Sequence, residues 1–140
     1  MGGIEVKAEI AAPAQDAWQR LRDFGGLAAW MPGIESCQVE GEGIGAVRSV
    51  GFPGGAGVKE RLESLDDATR TLSYSIVDGP LPVQNYLATI RVSEAGDAAC
   101  RIDWSARFDL PEGMKEDAIA PALQGAYGGA MAALKKKLEG

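Results

Sequence analysis

From Cys100 to Leu110 apolar and polar side chains alternate without a break: Cys100, Ile102, Trp104, Ala106, Phe108 and Leu110 against Arg101, Asp103, Ser105, Arg107 and Asp109. A period of two sends successive side chains to opposite faces of an extended chain, so this segment is a strand with one dry face and one wet face. Pro111-Glu112-Gly113 ends it, and Met114 to Leu138 reads as a long helix with Ile119, Leu123, Ala126, Tyr127, Ala130 and Leu134 on one stripe. A half-buried strand leading into a long amphipathic helix demands an α+β arrangement in which the helix covers the apolar face of a sheet. The middle of this helix is weakened by Pro121, Gly125, Gly128 and Gly129, which predicts a kink near Pro121 and a groove of small residues open to close approach.

The rest of the chain supplies the sheet. Ile4 to Ile10 alternates apolar and charged residues and reads as the first strand, ended by Ala12-Pro13. Pro13 to Phe24 changes to helical spacing, with Ala14, Ala17, Trp18, Leu21 and Phe24 on one side, until Gly25-Gly26 stops it. A short helical turn follows at Leu27 to Trp30. Turn signals then separate further strands at Ile34–Glu40, Gly45–Phe52, Val58–Leu65, Arg70–Val77, Val83–Ser93 and Ala98–Leu110. Sequential antiparallel strands of this kind curve, and the expected fold is a seven-stranded curved sheet wrapped around the long C-terminal helix, with two short helices after the first strand. A helix rich in Ala and Gly does not fill the concave face of such a sheet. The space left over is an expected internal cavity, and hence a ligand site.

Composition narrows the chemistry. The chain has 140 residues and no region that reads as a long linker, so one domain is expected. Fourteen Lys and Arg against 20 Asp and Glu leave a net charge of −6, with no basic face for nucleic acid beyond Lys135-Lys136-Lys137. There is no histidine, which excludes Ser-His-Asp and Cys-His relays and any His-bearing zinc site, and no metal or cofactor signature is present. Cys37 and Cys100 are too far apart for a CxxC motif and read as unpaired thiols in a cytoplasmic protein. No run of about 18 apolar residues exists to span a membrane. Gly-rich sheets of this type can form homodimers, but nothing in the sequence fixes the oligomeric state.

Parity within the strands picks out polar residues on the apolar face. Glu60 shares a face with Val58 and Leu62, and Arg48 shares one with Ala46, Val50 and Phe52 in the preceding strand. Tyr74 goes with Leu72 and Ile76, and Tyr86 with Ala88, Ile90 and Val92. An apolar wall therefore carries Arg48, Glu60, Tyr74 and Tyr86 as polar handles. Trp30, Leu62, Ala88, Trp104, Phe108, Leu123 and Tyr127 complete the candidate wall, with Phe52, Pro53 and Leu81 contributed by loops. Two readings remain open: Arg48 and Glu60 form a structural ion pair among core aromatics, or they orient a ligand oxygen or move a proton. In the second case Glu60, Tyr86 and Arg48 are the catalytic candidates, Glu60 as acid or base and Arg48 steadying an enolate or oxyanion. The Gly-rich loop Pro53 to Gly57 lacks the GK[ST] of a phosphate cradle and fits a hairpin tip over the cavity mouth. The stiff connection Asp78-Gly79-Pro80-Leu81-Pro82 exposes Leu81 or folds it over the opening; exposed, it is a docking point for a protein partner.

The order of elements, together with Ala12-Pro13 before Trp18, Gly45 with Arg48, Glu60-Arg61-Leu62 before Leu65-Asp66-Asp67, Asn85-Tyr86 and Leu110-Pro111-Glu112-Gly113, resembles the START/Bet v 1-like superfamily, in its polyketide cyclase/dehydrase and lipid-transport branch. Within it the likeness is to abscisic acid receptors and their bacterial relatives. The resemblance implies a helix-grip fold with an apolar cavity, a gate loop at Pro53 to Gly57, a latch loop at Gly79 to Val83, and Arg48, Glu60 and Tyr86 at the polar end. It also implies a small, mostly apolar ligand such as a polyketide, isoprenoid, lipid or sterol-like compound, or a cyclase/dehydratase acting on one. The sequence departs from the receptors at Met31, where they carry a lysine for the hormone's carboxylate, and at Leu81-Pro82, where the latch carries His-Arg.

Overall fold

The computed structural model describes residues 2–79 and 82–139. Seven strands form one antiparallel sheet: β1 (Gly2–Ile10), β2 (Ser36–Glu40), β3 (Val47–Gly51), β4 (Gly57–Asp66), β5 (Thr71–Asp78), β6 (Gln84–Glu94) and β7 (Cys100–Asp109), in the order β1-β7-β6-β5-β4-β3-β2. β2 to β7 run as a meander of neighbours, whereas β1 lies beside β7, so the chain must pass from one edge of the sheet to the other after β1. Helix α1 (Ala14–Arg22) and a 3-10 turn at Leu27–Ala29 make that passage. The curved sheet and the C-terminal helix α2 (Ala120–Glu139) are those expected from the alternation and the helical stripe.

The alternation in β7 is realised residue by residue, with Cys100, Ile102, Trp104, Ala106 and Phe108 all buried. Burying such a row drives sheet and helix together, since each large apolar side chain removed from water contributes about 1.5–3 kcal/mol. α1 packs Ala14, Ala17, Trp18 and Leu21 inward, the spacing that a single helical face allows. Trp18 is fully enclosed, and its indole N–H donates to Asp67 Oδ1 at 2.7 Å, which ties α1 to the β4–β5 turn. The Arg22 guanidinium reaches the same carboxylate at 2.8 Å.

Three expectations for the C-terminal helix are corrected. Residues 114–118 are not part of it: a separate 3-10 turn occupies Glu116–Ala118, and the α-helix begins at Ala120. Pro121 therefore lies in the first helical turn, where its missing N–H has no intrahelical partner to lose, so it starts the helix instead of kinking it. Nor does any other part of the described chain approach Gly125, Gly128 and Gly129 closely, because a Cβ added at any of them meets no atom within 4 Å and opens onto free space. The buried face of α2 is Tyr127, Ala130, Met131 and Leu134, on i, i+3, i+4, i+7 spacing; Met131 completes a stripe that the sequence reading left one residue short. The far end of α2 is fixed to β1: the Ala11 N–H donates to Glu139 Oε2 at 2.7 Å, and Lys135 Nζ donates to the Glu9 carbonyl at 3.4 Å. Among the described residues no helix is long and apolar enough to cross a membrane, and both cysteines are unpaired.

Candidate functional site

The polar end of the interior is built by strand register. Arg48 in β3 and Glu60 in β4 are direct cross-strand partners, and both point inward as parity requires. Arg48 Nε donates to Glu60 Oε1 at 2.7 Å, with side-chain exposures of 7% and 13%. The guanidinium makes a second hydrogen bond and two aromatic contacts. Its Nη1 donates to the Phe24 carbonyl at 3.3 Å, and its Cζ lies 4.0 Å from the Phe24 ring centroid and 5.1 Å from that of Tyr74. Cation–π contact and charge-assisted hydrogen bonding together replace the water that Arg48 gave up. Arg48 thus anchors Glu60, whose carboxylate faces a pocket.

That pocket has a volume of about 280 Å³ and lies between the sheet and α2. Arg48, Phe52, Glu60, Tyr74, Tyr86, Trp104, Leu123 and Tyr127, all expected from the sequence, lie on its wall. Met31, the position where the resembled receptors carry a lysine, lines it too, as do Leu27, Ile34, Val50, Val58, Ile76 and Ala126, which were not singled out. The signal for three of them was present: Val50, Val58 and Ile76 share the strand parity of Arg48, Glu60 and Tyr74. Leu27 and Met31 come from the segment around the 3-10 turn, whose packing no periodicity announces.

The other expected wall residues lie elsewhere. Trp30 borders a surface groove with Lys136 and Lys137, and also a small void of about 10 Å³ shared with Arg48 and Trp104. Pro53 sits at the exposed tip of the β3–β4 hairpin, where Gly54 and Gly55 take φ of +93° and +91° and make the turn possible. Leu62 packs on the far side of Phe24 with Ala46. Ala88 is buried within the sheet between its strand partners Tyr74 and Ala106. Phe108 backs the wall, stacking on Tyr86 with centroids 6.0 Å apart. Leu81 lies outside the described residues.

Tyr86 keeps the inward parity of Ala88, Ile90 and Val92 beside an irregularity. Between Gln84 and Leu87 the β6–β7 register slips, and Asn85 adopts φ of +54° while its Nδ2 donates to Asp109 Oδ2 at 2.7 Å. A bulge of this kind absorbs one residue. The aromatic side of the pocket is denser still: Trp104 and Tyr127 stack at 4.3 Å between centroids. Burial pushes the Tyr74 phenol well above its ordinary pKa, with the Tyr127 phenol and the Glu60 carboxylate adding to the rise. Burial likewise raises that of Tyr127. Both phenols therefore hold their protons at neutral pH and are available as donors. Among the described residues the indole nitrogens of Trp30 and Trp104 are buried without a protein hydrogen-bond partner, and the buried Tyr127 hydroxyl has only the Tyr74 phenol beside it. Among the described residues no group of three or more His, Cys, Asp or Glu side chains is arranged to hold a metal ion.

With this geometry in hand, the comparisons with known proteins decide the family: the chain matches polyketide cyclase / dehydrase and lipid transport proteins over residues 1–139. It belongs to that family. It is similar to the abscisic acid receptor PYL2 of Arabidopsis thaliana, at 31% identity over 80% of this chain and 64% of the receptor. The chain spans 64% and 55% of the length of two curated receptor relatives it matches. A Bacillus thuringiensis protein solved by structural genomics shares the fold at a TM-score of 0.90 and 30% identity, covering 99% of this chain and 100% of that one. Norcoclaurine synthase of Thalictrum flavum, in complex with dopamine and hydroxybenzaldehyde, matches with a TM-score of 0.79 and 26% identity over 96% of this chain and 84% of the synthase.

Proposed function

We propose that this protein encloses a small, mostly apolar molecule in the pocket between the sheet and α2. The observation that carries the reading is the 280 Å³ pocket itself, walled by aliphatic and aromatic side chains with Arg48, Glu60 and the tyrosines as its few polar groups. That combination is the usual make-up of a small-molecule site. The volume lies near the lower end of the roughly 300–1,000 Å³ typical of such sites, so a compound of one or two rings fits better than a sterol or a long acyl chain. The expected ligand classes thus narrow to a compact polyketide or isoprenoid. Relatives named as an abscisic acid receptor and as a synthase complexed with dopamine and hydroxybenzaldehyde support a small-molecule occupant.

Native mass spectrometry of the protein purified from its own host, followed by denaturation and identification of any released compound, tests this directly. A compact apolar compound bound one to one is the expected result. Absence of a retained compound, together with failure of every small apolar probe to bind, overturns the reading.

A second reading is favoured by one detail of the site. Glu60 uses Oε1 for Arg48, which leaves its second carboxylate oxygen free of a protein partner beside an apolar pocket. An enzyme of the cyclase or dehydratase type would use that oxygen to take a proton, with Tyr86 or Tyr74 as donor to the developing oxyanion. Glu60→Gln then keeps ligand binding and abolishes turnover; equal turnover in the variant removes the enzyme reading and leaves the binding one.

A further inference from the structure

Tyr127 presents its phenol to the pocket from α2, with the Tyr74 phenol beside its oxygen. Its side chain is enclosed, 6% exposed, and among the described residues its O–H has no other protein partner. The neighbouring phenol is that of Tyr74, and one of the two can donate to the other; even so, one phenolic O–H of the pair remains unspent. Trp104 stacks on Tyr127 and adds an indole N–H that is also unpartnered, although its ring borders the small void as well as the pocket. Donors kept dry and unpaired are costly to a fold, and chains usually keep them where something else accepts the bond.

Around these donors the wall is hydrocarbon: Leu27, Ile34, Val50, Val58, Ile76 and Leu123. An occupant without a polar atom would leave the O–H unsatisfied. An anionic occupant would sit beside the Glu60 carboxylate in a chain of net charge −6, with Arg48 already neutralised by that carboxylate. A neutral acceptor remains, and a carbonyl suits best, because it brings no proton that the apolar wall would have to accept.

Resting on the proposed small-molecule function, we propose that the pocket takes a neutral one- or two-ring carbonyl compound whose oxygen accepts a hydrogen bond from Tyr127. Tyr127 is thereby a specificity-determining residue, read from the C-terminal helix and not from the Arg48–Glu60 pair.

Equilibrium dialysis of the full chain with 1-tetralone and with tetralin, its hydrocarbon counterpart, tests the proposal. The ketone is expected to bind about tenfold more tightly, a factor equivalent to one good hydrogen bond, and Tyr127→Phe is expected to erase that preference. Tetralin affinity should be unchanged by the substitution, which also shows that the variant is folded. In the unaltered protein the infrared carbonyl stretch of bound tetralone should fall below its value in dry hydrocarbon, which reads the same bond with no substitution at all. If both compounds bind, the hydrocarbon at least as well as the ketone, and Tyr127→Phe changes neither, the carbonyl proposal is overturned while the small-molecule function stands. If neither compound binds, the carbonyl proposal is overturned, and the small-molecule function falls with it only when native mass spectrometry also finds no retained compound and no other small apolar probe binds.

Discussion

The two halves of the interior solve the same packing problem in opposite ways. Near α1, Trp18, Ile10, Leu72, Ile102, Val92 and Cys100 are all but inaccessible, and the one polar atom of Trp18 is paired with Asp67. Near the middle of α2, the Trp104 indole N–H is buried and unpaired and the Tyr127 hydroxyl has only the Tyr74 phenol beside it, next to about 280 Å³ of free space. One sheet thus carries a region optimised for stability and a region where stability is given up. The difference teaches where to look for function: among groups that the fold leaves unsatisfied, not among those it completes.

The contrast is most open to attack in the closed half. Trp18→Ala removes a fully enclosed indole and strands Asp67, and a loss of about 3–5 kcal/mol in urea unfolding is expected. A loss below that range would mean that the closed half is plastic and the contrast false. The ion pair ranks next. Arg48→Met leaves the Glu60 carboxylate buried without its counter-charge, which costs about 3–5 kcal/mol, whereas Arg48→Met with Glu60→Leu should recover most of it. A double variant no better than the single one would show that the cation–π contacts, not the charge pair, hold this corner together.

Alkaline titration separates the halves by sign. Tyr74 and Tyr127 have raised pKa values in the folded protein, so their contribution is fully present below the unfolded phenol value of about 10 and is lost as pH rises beyond it. Unfolding monitored from pH 8 upward should be less steeply pH-dependent in Tyr127→Phe. That same substitution, made at neutral pH without ligand, should change stability by less than about 1 kcal/mol, because it deletes one unspent O–H but also removes the phenol beside Tyr74. A drop of more than that would show that both phenolic O–H groups are spent within the fold. The smallest effect belongs to Asp67, whose pKa is lowered chiefly by the Trp18 indole N–H and then by Arg22. Its contribution is present above the unfolded carboxylate value and is lost as pH falls through the folded one, so Asp67→Asn should flatten the acid limb of a stability profile slightly.

Much of this could be read in the chain beforehand, for a reason that the strands make plain. Side-chain parity is a local property, so the inward placement of Arg48, Glu60, Tyr74 and Tyr86 follows from spacing alone once the strands are recognised. β4 slips against β5 twice, between Lys59 and Glu60 and between Leu62 and Ser64, yet Glu60 keeps its inward face because its register against Arg48 in β3 is unbroken. Where elements meet end to end, local patterning has no grip. Leu27 and Met31 reach the pocket because the segment after α1 folds back across the sheet, and Trp30, adjacent in sequence, turns away from it. Pro121 illustrates the same limit: its effect depends on whether the helix starts before it or at it, which is decided by the separate turn at Glu116–Ala118.

The curved sheet, the covering helix and the set of polar residues on the inner face are all legible in local pattern, because periods of two and 3.6 residues recur every few residues along the chain. The folded chain, and not its pattern, shows that Arg48 bonds to Glu60 and the Phe24 carbonyl, that Trp18 is paired while Trp104 is not, and that a phenolic O–H of the Tyr74–Tyr127 pair is left over. Those outcomes depend on which groups meet across elements far apart in the chain, and hydrogen-bond satisfaction is a property of that meeting, not of any residue alone.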